Sequence, residues 1–329
     1  MPRRWSVSWR SGSGKTYRRA VSDLPIAEPR GRRSPLPAEL RQAHSPDARH
    51  VPYDARKLSY AATFDDGARK AVIRSLEWLT GKVTLLRLIR QFEHEGVPEG
   101  QAFWRRALDT LGIDLTTPDR QIRRIPREGP VVLVANHPHG LVDGMILADV
   151  IGRVRPDYKI LTRSLLTGVS EVGRFMIPVP FPHEADARER NLEMRRRTME
   201  HLALGGLIAL FPSGSVAASG TMFGPAVEAE WNPFTARLIQ RSRATVVPVY
   251  FPGQNSRWYQ IANRISATLR QGLLIHEVVH ARNRPQAPVV GDPIAPDDLR
   301  DWDNDPRGLM RWLRARTLAL RDFEIARSD

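Results

Sequence analysis

The sequence has no cysteine among its 329 residues. This absence excludes disulfide scaffolds, thiolate zinc sites, iron–sulfur clusters and a cysteine nucleophile. It also fits a protein kept in a reducing cytosol. Acid–base or nucleophilic chemistry in this chain must therefore come from nitrogen and oxygen groups.

Lysine is scarce, although the chain is strongly basic. Only five of the 50 cationic residues are lysine, which leaves 45 arginines, and the formal net charge is +14. Such a charge suits nucleic acid or anionic lipid head groups. Composition alone does not separate these two partners, but no helix-turn-helix, RRM or zinc-finger pattern accompanies the charge, so we expect no nucleic-acid partner.

Long uninterrupted apolar runs are also missing. The uncharged stretch Leu202–Val227 is long enough to cross a bilayer, but two prolines and five glycines interrupt it, so it is predicted as a buried strand followed by a loop. No apolar segment follows the basic start Met1-Pro-Arg-Arg. A secretory signal peptide is therefore not expected, whereas an Arg/Ser-rich organellar transit peptide stays open.

The first 57 residues differ in composition from the rest. They carry 13 Lys/Arg against five Asp/Glu, and seven prolines interrupt them. This composition predicts a disordered basic tail over 1–57. We expect residues 58–329 to form a single domain, made of a helical part (58–125), an α/β core (126–295) and a C-terminal helix within 296–329.

Short apolar runs alternate with helical patterns through the core. Strand–helix alternation of this kind predicts an α/β fold with a mostly parallel sheet flanked by helices. The predicted strands are Val131–Ala135, Tyr158–Leu161, Met176–Val179, Leu207–Phe211 and Ala244–Phe251, and the predicted helices are Leu141–Val154, Arg188–Leu204, Pro233–Arg241 and Asp303–Phe323.

Two further helices are predicted before the first strand, near residues 67–92 and 99–111. Within Arg69–Phe92, apolar residues recur at helical spacing and basic residues lie mostly off that stripe. A basic amphipathic helix can lie in a membrane interface, but the same pattern suits a helix that packs its stripe on the core. Both interpretations stay open at this point. The stripe comprises Val72, Leu76, Leu79, Val83, Leu86 and Ile89.

Three short motifs match known sites incompletely. Gly12–Thr16 is similar to half of a phosphate-binding loop, but Trp9 stands where the leading glycine is required. His276–His280 matches H-E-x-x-H without a third zinc ligand, so we interpret it as an ordinary helix or strand surface. His137-Pro-His139 follows a predicted strand, as in some metal hydrolases, so metal-dependent hydrolysis through both histidines is the alternative hypothesis.

The turn Asn136–Gly140 lies between the first strand of the core and the helix after it. Polar groups at the carboxyl end of a strand are where open α/β sheets bind ligands. Asp143 falls in the first turn of that helix, from which its carboxylate can reach an imidazole on the turn. Such a pair is a candidate general base, although the same residues could merely cap the helix. Without a G-x-S-x-G nucleophile, the base suits direct deprotonation of a substrate, as in a transferase.

Two more loops follow later strands. Pro212–Ser215 offers backbone N–H groups and two hydroxyls to an anion or an acceptor, and Pro252–Arg257 follows the strand that contains Val247-Pro248-Val249. Either loop alone could be a plain turn.

The ordered set of motifs resembles the lysophospholipid and glycerol-phosphate acyltransferases over roughly residues 75–295. The matching segments are Asn136-His137 with Asp143, Phe211-Pro212-Ser213-Gly214 and Val247-Pro248-Val249. The Asn-His-Pro-x-Gly form and Gly253-Gln-Asn-Ser-Arg257 are most similar to the bacterial branch that holds hemolysin-like and lyso-ornithine-lipid acyltransferases. A glycerolipid acyltransferase-like fold is what the resemblance implies.

The resemblance also implies roles for individual residues. His137 would be the base and Asp143 the residue that orients it, with acyl carrier protein or coenzyme A as the acyl donor and neither a metal nor another cofactor. The residues implied in substrate binding are Asn136, His139, Gly140, Arg174, Phe211, Pro212, Ser213, Gly214, Ser215, Asn255 and Arg257.

The chain departs from the family pattern in three ways. Four residues usually separate the histidine from the aspartate in this family. Here five residues separate His137 from Asp143, and three separate His139 from Asp143. The five-residue spacing fits the bacterial branch and favours His137. His139 is itself a departure that keeps a neutral acceptor open. Ser213 and Ser215 stand where members often have Glu, which puts a glycerol-phosphate acceptor in doubt.

These observations predict an O-acyltransferase that acts on a lysolipid-like acceptor. The basic tail and the amphipathic helix would collect anionic lipid and an acidic carrier protein. We therefore expect a peripheral protein at the cytoplasmic face of the cell membrane, with metal-dependent hydrolysis through His137 and His139 as the alternative.

Overall fold

The computed structural model describes residues 66–163, 169–180, 184, 186–221 and 223–322, together with residues 53, 59 and 61. The predicted basic tail, apart from Tyr53, and the Gly12–Thr16 segment lie outside these residues.

A six-stranded sheet in the order β3–β2–β4–β1–β7–β8 forms the centre of the fold. All neighbours pair in parallel except β7 and β8, which are antiparallel. The predicted α/β fold with a mostly parallel sheet is confirmed. The strands of this sheet and of a separate hairpin (β5 and β6) are β1 (Val131–Ala135), β2 (Tyr158–Thr162), β3 (Met176–Pro178), β4 (Leu207–Leu210), β5 (Ala218–Ser219), β6 (Ala226–Val227), β7 (Thr245–Tyr250) and β8 (Val289–Val290).

The helices surround this sheet, and most lie where the periodicity predicts them. A 3₁₀ helix at Pro296–Trp302 precedes the last α-helix. That α-helix begins at Pro306, because the Asp305 side chain accepts the Gly308 N–H at 2.8 Å. The α-helices are α1 (Gly67–Glu77), α2 (Val83–His94), α3 (Ala102–Thr110), α4 (Asp119–Ile122), α5 (Leu141–Gly152), α6 (Ser170–Phe175), α7 (Ala187–Ala203), α8 (Pro233–Ser242), α9 (Arg257–Ile265), α10 (Ala267–Gly272), α11 (Leu274–His280) and α12 (Pro306–Ala319).

The pleat of β1 divides the core into two layers. Leu133 belongs to a cluster with α2, α3 and α5, whereas Val132 and Val134 belong to a cluster with α7, α8 and α12. Successive side chains of a strand point to opposite faces, so an uninterrupted apolar run is required where both faces are covered. All five residues of β1 are buried, as this rule demands.

The predicted amphipathic helix is broken, and its stripe does not face the core throughout. Gly81 has non-helical φ and ψ within a π-helical segment, Trp78–Lys82, that joins α1 to α2. A Cβ at Gly81 would lie 3.2 Å from Val279 Cγ2 and 3.4 Å from His276 Cα, so glycine permits the close approach of α11. The core-facing interpretation is therefore wrong for Val72 and Leu79, which are 43% and 83% exposed.

Arg155 connects the loops at the amino-terminal end of the parallel strands. Its guanidinium is buried and donates to the carbonyls of Pro126, Gly129 and Gly205 at 2.7–3.2 Å. It also forms a two-bonded pair with Asp157 at 2.7 Å, and these hydrogen bonds lower the pKa of that carboxyl. A planar five-donor group is what such a convergence of acceptors requires.

Arg155→Ala is expected to lower the free energy of unfolding by about 3 kcal/mol, because it leaves several buried acceptors without their donor. Denaturant titration measures this effect. Arg196, which pairs with Glu193 and Glu200 on an exposed helix face, is the matched control, and Arg196→Ala should change stability little. Equal effects of the two substitutions would contradict the role given to Arg155.

Candidate active site

The turn after β1 places the polar side chains of Asn136, His137 and His139 at the carboxyl end of that central strand. Gly140 has φ 76° and ψ −124°, a conformation that side chains disfavour, and the chain enters α5 from it. The turn brings His137 and His139 back over the first turn of the helix, where Asp143 lies.

Asp143 is the centre of this arrangement. Its carboxylate has no exposed surface and accepts four hydrogen bonds, from His137 Nδ1 at 3.0 Å, His139 Nδ1 at 3.0 Å, the His139 N–H at 2.8 Å and the Gly140 N–H at 3.1 Å. Burial alone would raise its pKa. The charge of His139 and the hydrogen bonds from both imidazoles outweigh burial and lower the pKa from 3.8 to about 2.

An ionised Asp143 determines the tautomer of both histidines, since a carboxylate only accepts hydrogen bonds. Each Nδ1 therefore carries hydrogen, and each neutral ring has its lone pair on Nε2. The two Nε2 atoms have different surroundings. His137 lines a cavity, whereas His139 Nε2 faces Gly253, where a Cβ would lie only 2.9 Å away.

The cavity beside His137 measures about 380 Å³. The His137 ring stacks on Phe211, with centroids 3.9 Å apart and planes 20° apart, so the aromatic ring holds the imidazole at the cavity wall. Six of the predicted site residues line this space, namely His137, Gly140, Phe211, Pro212, Gly214 and Ser215.

The side chain of Asn136 is bonded to the backbone of the neighbouring strand's end. Its side-chain amide donates to the Phe251 carbonyl at 2.8 Å and accepts the Phe251 N–H at 2.7 Å. These bonds tie the ends of β1 and β7 together beside the turn. Ser213 donates to the Ser215 carbonyl at 2.9 Å and does not line the cavity.

Three further residues predicted to bind substrate, Arg174, Asn255 and Arg257, do not line the cavity either. Arg174 lies over the Phe175 ring at 5.5 Å, at the end of α6, and Arg257 donates to the Phe223 carbonyl at 2.6 Å. Asn255 is buried in the loop before α9. Phe175 directs the side chain of Arg174, and the Phe223 carbonyl directs that of Arg257; the motif pattern contains neither neighbour.

Glu228 is a site residue that the sequence patterns did not reveal. One carboxylate oxygen accepts the His137 backbone N–H at 3.1 Å and the other accepts Trp231 Nε1–H at 3.0 Å. Burial raises the pKa of Glu228. It lies 91 positions from His137, outside any motif, so no local signal could have pointed to it.

The H-E-x-x-H motif forms helix α11, as an ordinary helix. Buried Glu277 accepts hydrogen bonds from Ser256 N–H at 2.7 Å and Oγ–H at 2.6 Å, while His276 Nδ1 lies 2.8 Å from the Thr80 carbonyl. Within the described ranges, no three His, Asp or Glu residues are arranged to hold a metal ion.

Comparisons with known proteins agree with the motifs. The sequence model of a family described as acyltransferase matches residues 80–283. A lyso-glycine lipid O-acyltransferase of Phocaeicola vulgatus is 25% identical over 190 residues, which cover 55% of this chain and 65% of that protein. A protein of the same name from Bacteroides thetaiotaomicron is 27% identical over 186 residues, which cover 50% of this chain and 62% of that protein. The chain thus spans less than two thirds of the length of either relative.

Among solved structures, the 1-acyl-sn-glycerophosphate (LPA) acyltransferase of Thermotoga maritima superposes with a TM-score of 0.45 at 14% identity, covering 80% of this chain and 85% of that chain.

The lowered pKa of Asp143 predicts a pH-dependent contribution to stability. The folded value of about 2 lies below 3.8, so this contribution is complete above about pH 5 and is lost as the pH falls toward 2. It amounts to roughly 2 kcal/mol at 1.36 kcal/mol for each pKa unit.

Asp143→Asn removes this contribution, so its stability deficit relative to the wild type should shrink between about pH 5 and pH 2. Urea titrations across that range measure the deficit. Asp303→Asn, at an exposed carboxyl, is the control and should show no such convergence. A deficit that is constant with pH would show that the carboxylate charge does not matter to folding.

Proposed function

The chain belongs to the acyltransferase family, and from that premise we propose that it moves a fatty acyl group from a thioester to the hydroxyl of a lysolipid. Acyl carrier protein or coenzyme A carries the acyl group, and no metal or further cofactor takes part. The two relatives named lyso-glycine lipid O-acyltransferases support a lysolipid acceptor. The observation that carries the proposal is the His137–Asp143 pair at the cavity wall.

In the proposed reaction His137 is the general base. Its Nε2 takes the proton of the acceptor hydroxyl while that oxygen attacks the thioester carbonyl. The tetrahedral intermediate collapses, the carbon–sulfur bond breaks, and the departing thiolate takes the proton from the imidazolium. Asp143 holds the ring by Nδ1 and stabilises its positive charge, which supports its assignment as the partner of the base.

The choice of His137 over His139 rests on access. Both rings donate to Asp143, but His139 is packed against Gly253 and does not line the cavity. His139 thus supports the orientation of the carboxylate. Phe211 and the loop from Pro212 to Ser215 contribute to the wall that would contact the acceptor.

A thiol-release assay with an acyl thioester and a panel of lysolipids tests this proposal, and the enzyme contributes no thiol background because it lacks cysteine. His137→Ala should lower acceptor-dependent release by about 100-fold or more, the usual contribution of a general base. His139→Ala is the matched variant and should retain most of the activity. Loss confined to His139→Ala would reverse the assignment, and no release with any donor would contradict acyl transfer.

The protein is also proposed to work peripherally at the cytoplasmic face of the cell membrane, where both the lipid acceptor and a cytosolic thioester are available. Trp78 and Leu79 are 56% and 83% exposed at the junction of α1 and α2. Arg69, Lys70 and Arg74 lie on α1 just before them. Exposed apolar side chains beside cations suit an anionic lipid interface. No helix in the described part of the chain is long and apolar enough to cross a bilayer.

Sedimentation with vesicles tests this membrane association. Wild-type protein should bind vesicles of anionic phosphatidylglycerol more tightly than vesicles of neutral phosphatidylcholine. Replacing Trp78 and Leu79 together by Ser should weaken binding to anionic vesicles by roughly tenfold or more, given the apolar area removed. Leu204→Ser, at a residue 88% exposed after α7, is the control. Unchanged binding of the double variant would rule out this surface.

A further inference from the structure

The cavity beside His137 is cationic. The lining residues that the structure describes include three arginines, Arg163, Arg195 and Arg270, and neither Asp nor Glu. The rest of the lining is largely apolar, with Leu161, Met194 and Phe234 among its members. A cavity with apolar walls and guanidinium groups favours an amphiphile that carries a negative charge.

Arg195 differs in its pairing from Arg190 and Arg196, two other arginines of α7. Arg190 pairs with Glu184, and Arg196 pairs with Glu193 and Glu200. Among the described residues Arg195 has no carboxylate partner, and its guanidinium lies 5.2 Å from the centre of the Phe234 ring. Stacking on an aromatic ring directs a guanidinium while leaving its N–H donors available.

Thr235 follows Phe234 in the first turn of α8 and lines the same cavity. Its side chain is 1% exposed, and Oγ1 has no hydrogen-bond partner within the described structure. A buried hydroxyl without a partner is costly, and an oxygen of a bound ligand would satisfy it. The N-terminus of this ten-residue helix adds a favourable field for negative charge.

From these observations we propose that Arg195 and Thr235 form a head-group subsite, which binds the anionic head group of the acceptor lipid. Carboxylate and phosphate share the required chemistry, because both accept from a guanidinium and a hydroxyl. The subsite opens into the cavity that His137 lines, so one molecule places its head group at Arg195 and its hydroxyl at the base. This inference rests on the proposed function, since it specifies the acceptor of that reaction.

Binding without any acyl donor tests the subsite apart from catalysis. Calorimetric titrations use decyl phosphate and N-decanoylglycine as anionic probes, monodecanoylglycerol as the neutral probe, and coenzyme A to represent the donor. Arg195→Gln should weaken binding of both anionic probes by roughly tenfold or more, as expected for loss of a charge-assisted hydrogen bond, and leave the neutral probe within about twofold. Thr235→Val, which removes the hydroxyl at constant shape, should weaken the anionic probes by about threefold or more.

Arg197→Gln is the matched control, because Arg197 lies on the same helix and does not line the cavity. It should leave all four titrations unchanged. If Arg195→Gln weakens the binding of only one anionic probe, that probe identifies the head group as carboxylate or as phosphate, and the subsite is upheld. If the binding of the neutral probe weakens equally, Arg195 contributes only to the general packing of the cavity, and the proposal is overturned. If only the binding of coenzyme A weakens, Arg195 belongs to a donor site, and the proposal is likewise overturned.

The thiol-release assay then separates the two proposals. Arg195→Gln should raise KM for an anionic lysolipid and leave the kcat for a neutral one unchanged. If wild-type protein releases no thiol with any acceptor, acyl transfer fails whatever the binding results. If it releases thiol but prefers neutral lysolipids, and Arg195→Gln has no effect on the anionic ones, the head-group subsite fails and acyl transfer stands.

Discussion

The site depends on one buried negative charge. The Asp143 carboxylate is removed from water, and four N–H donors from the preceding turn replace the hydration that it loses. Each donor has a second consequence, because it directs a ring or a peptide of that turn. The same interaction therefore stabilises the ionised carboxylate, shapes the turn after β1 and leaves the lone pair of each histidine on the nitrogen away from Asp143.

Two histidines share this carboxylate, and the surrounding packing makes them unequal. Phe211 and the cavity flank His137, whereas His139 fills the space against Gly253. The backbone of His137 is held as well, since Glu228 accepts its N–H and its carbonyl accepts the Ala217 N–H at 2.8 Å. A ring fixed on so many sides loses little entropy when it meets a substrate.

Arginine serves different purposes in different parts of the molecule. Arg155 is buried and holds loops together at the amino-terminal end of the sheet, while Arg196 pairs with glutamates on the surface of α7. Arg195, next to it in the chain, reaches the cavity without a carboxylate partner in the described structure. The strongly basic composition is thus distributed among structural, solvated and cavity positions that composition alone does not distinguish.

Local sequence determined five of the six strands of the sheet, most of the helices, the turn that carries His137 and the helix start that carries Asp143. Apolar β-branched runs, helical periodicity and N-terminal caps involve residues close together in the chain, so these patterns can be recognised in the sequence without the tertiary structure. Tertiary structure decided which histidine reaches the cavity, that Glu228 supports it, that Arg174 lies elsewhere and that Leu79 is exposed. These outcomes depend on contacts between distant segments, such as α11 against Gly81, and no short pattern records which distant side chains will meet.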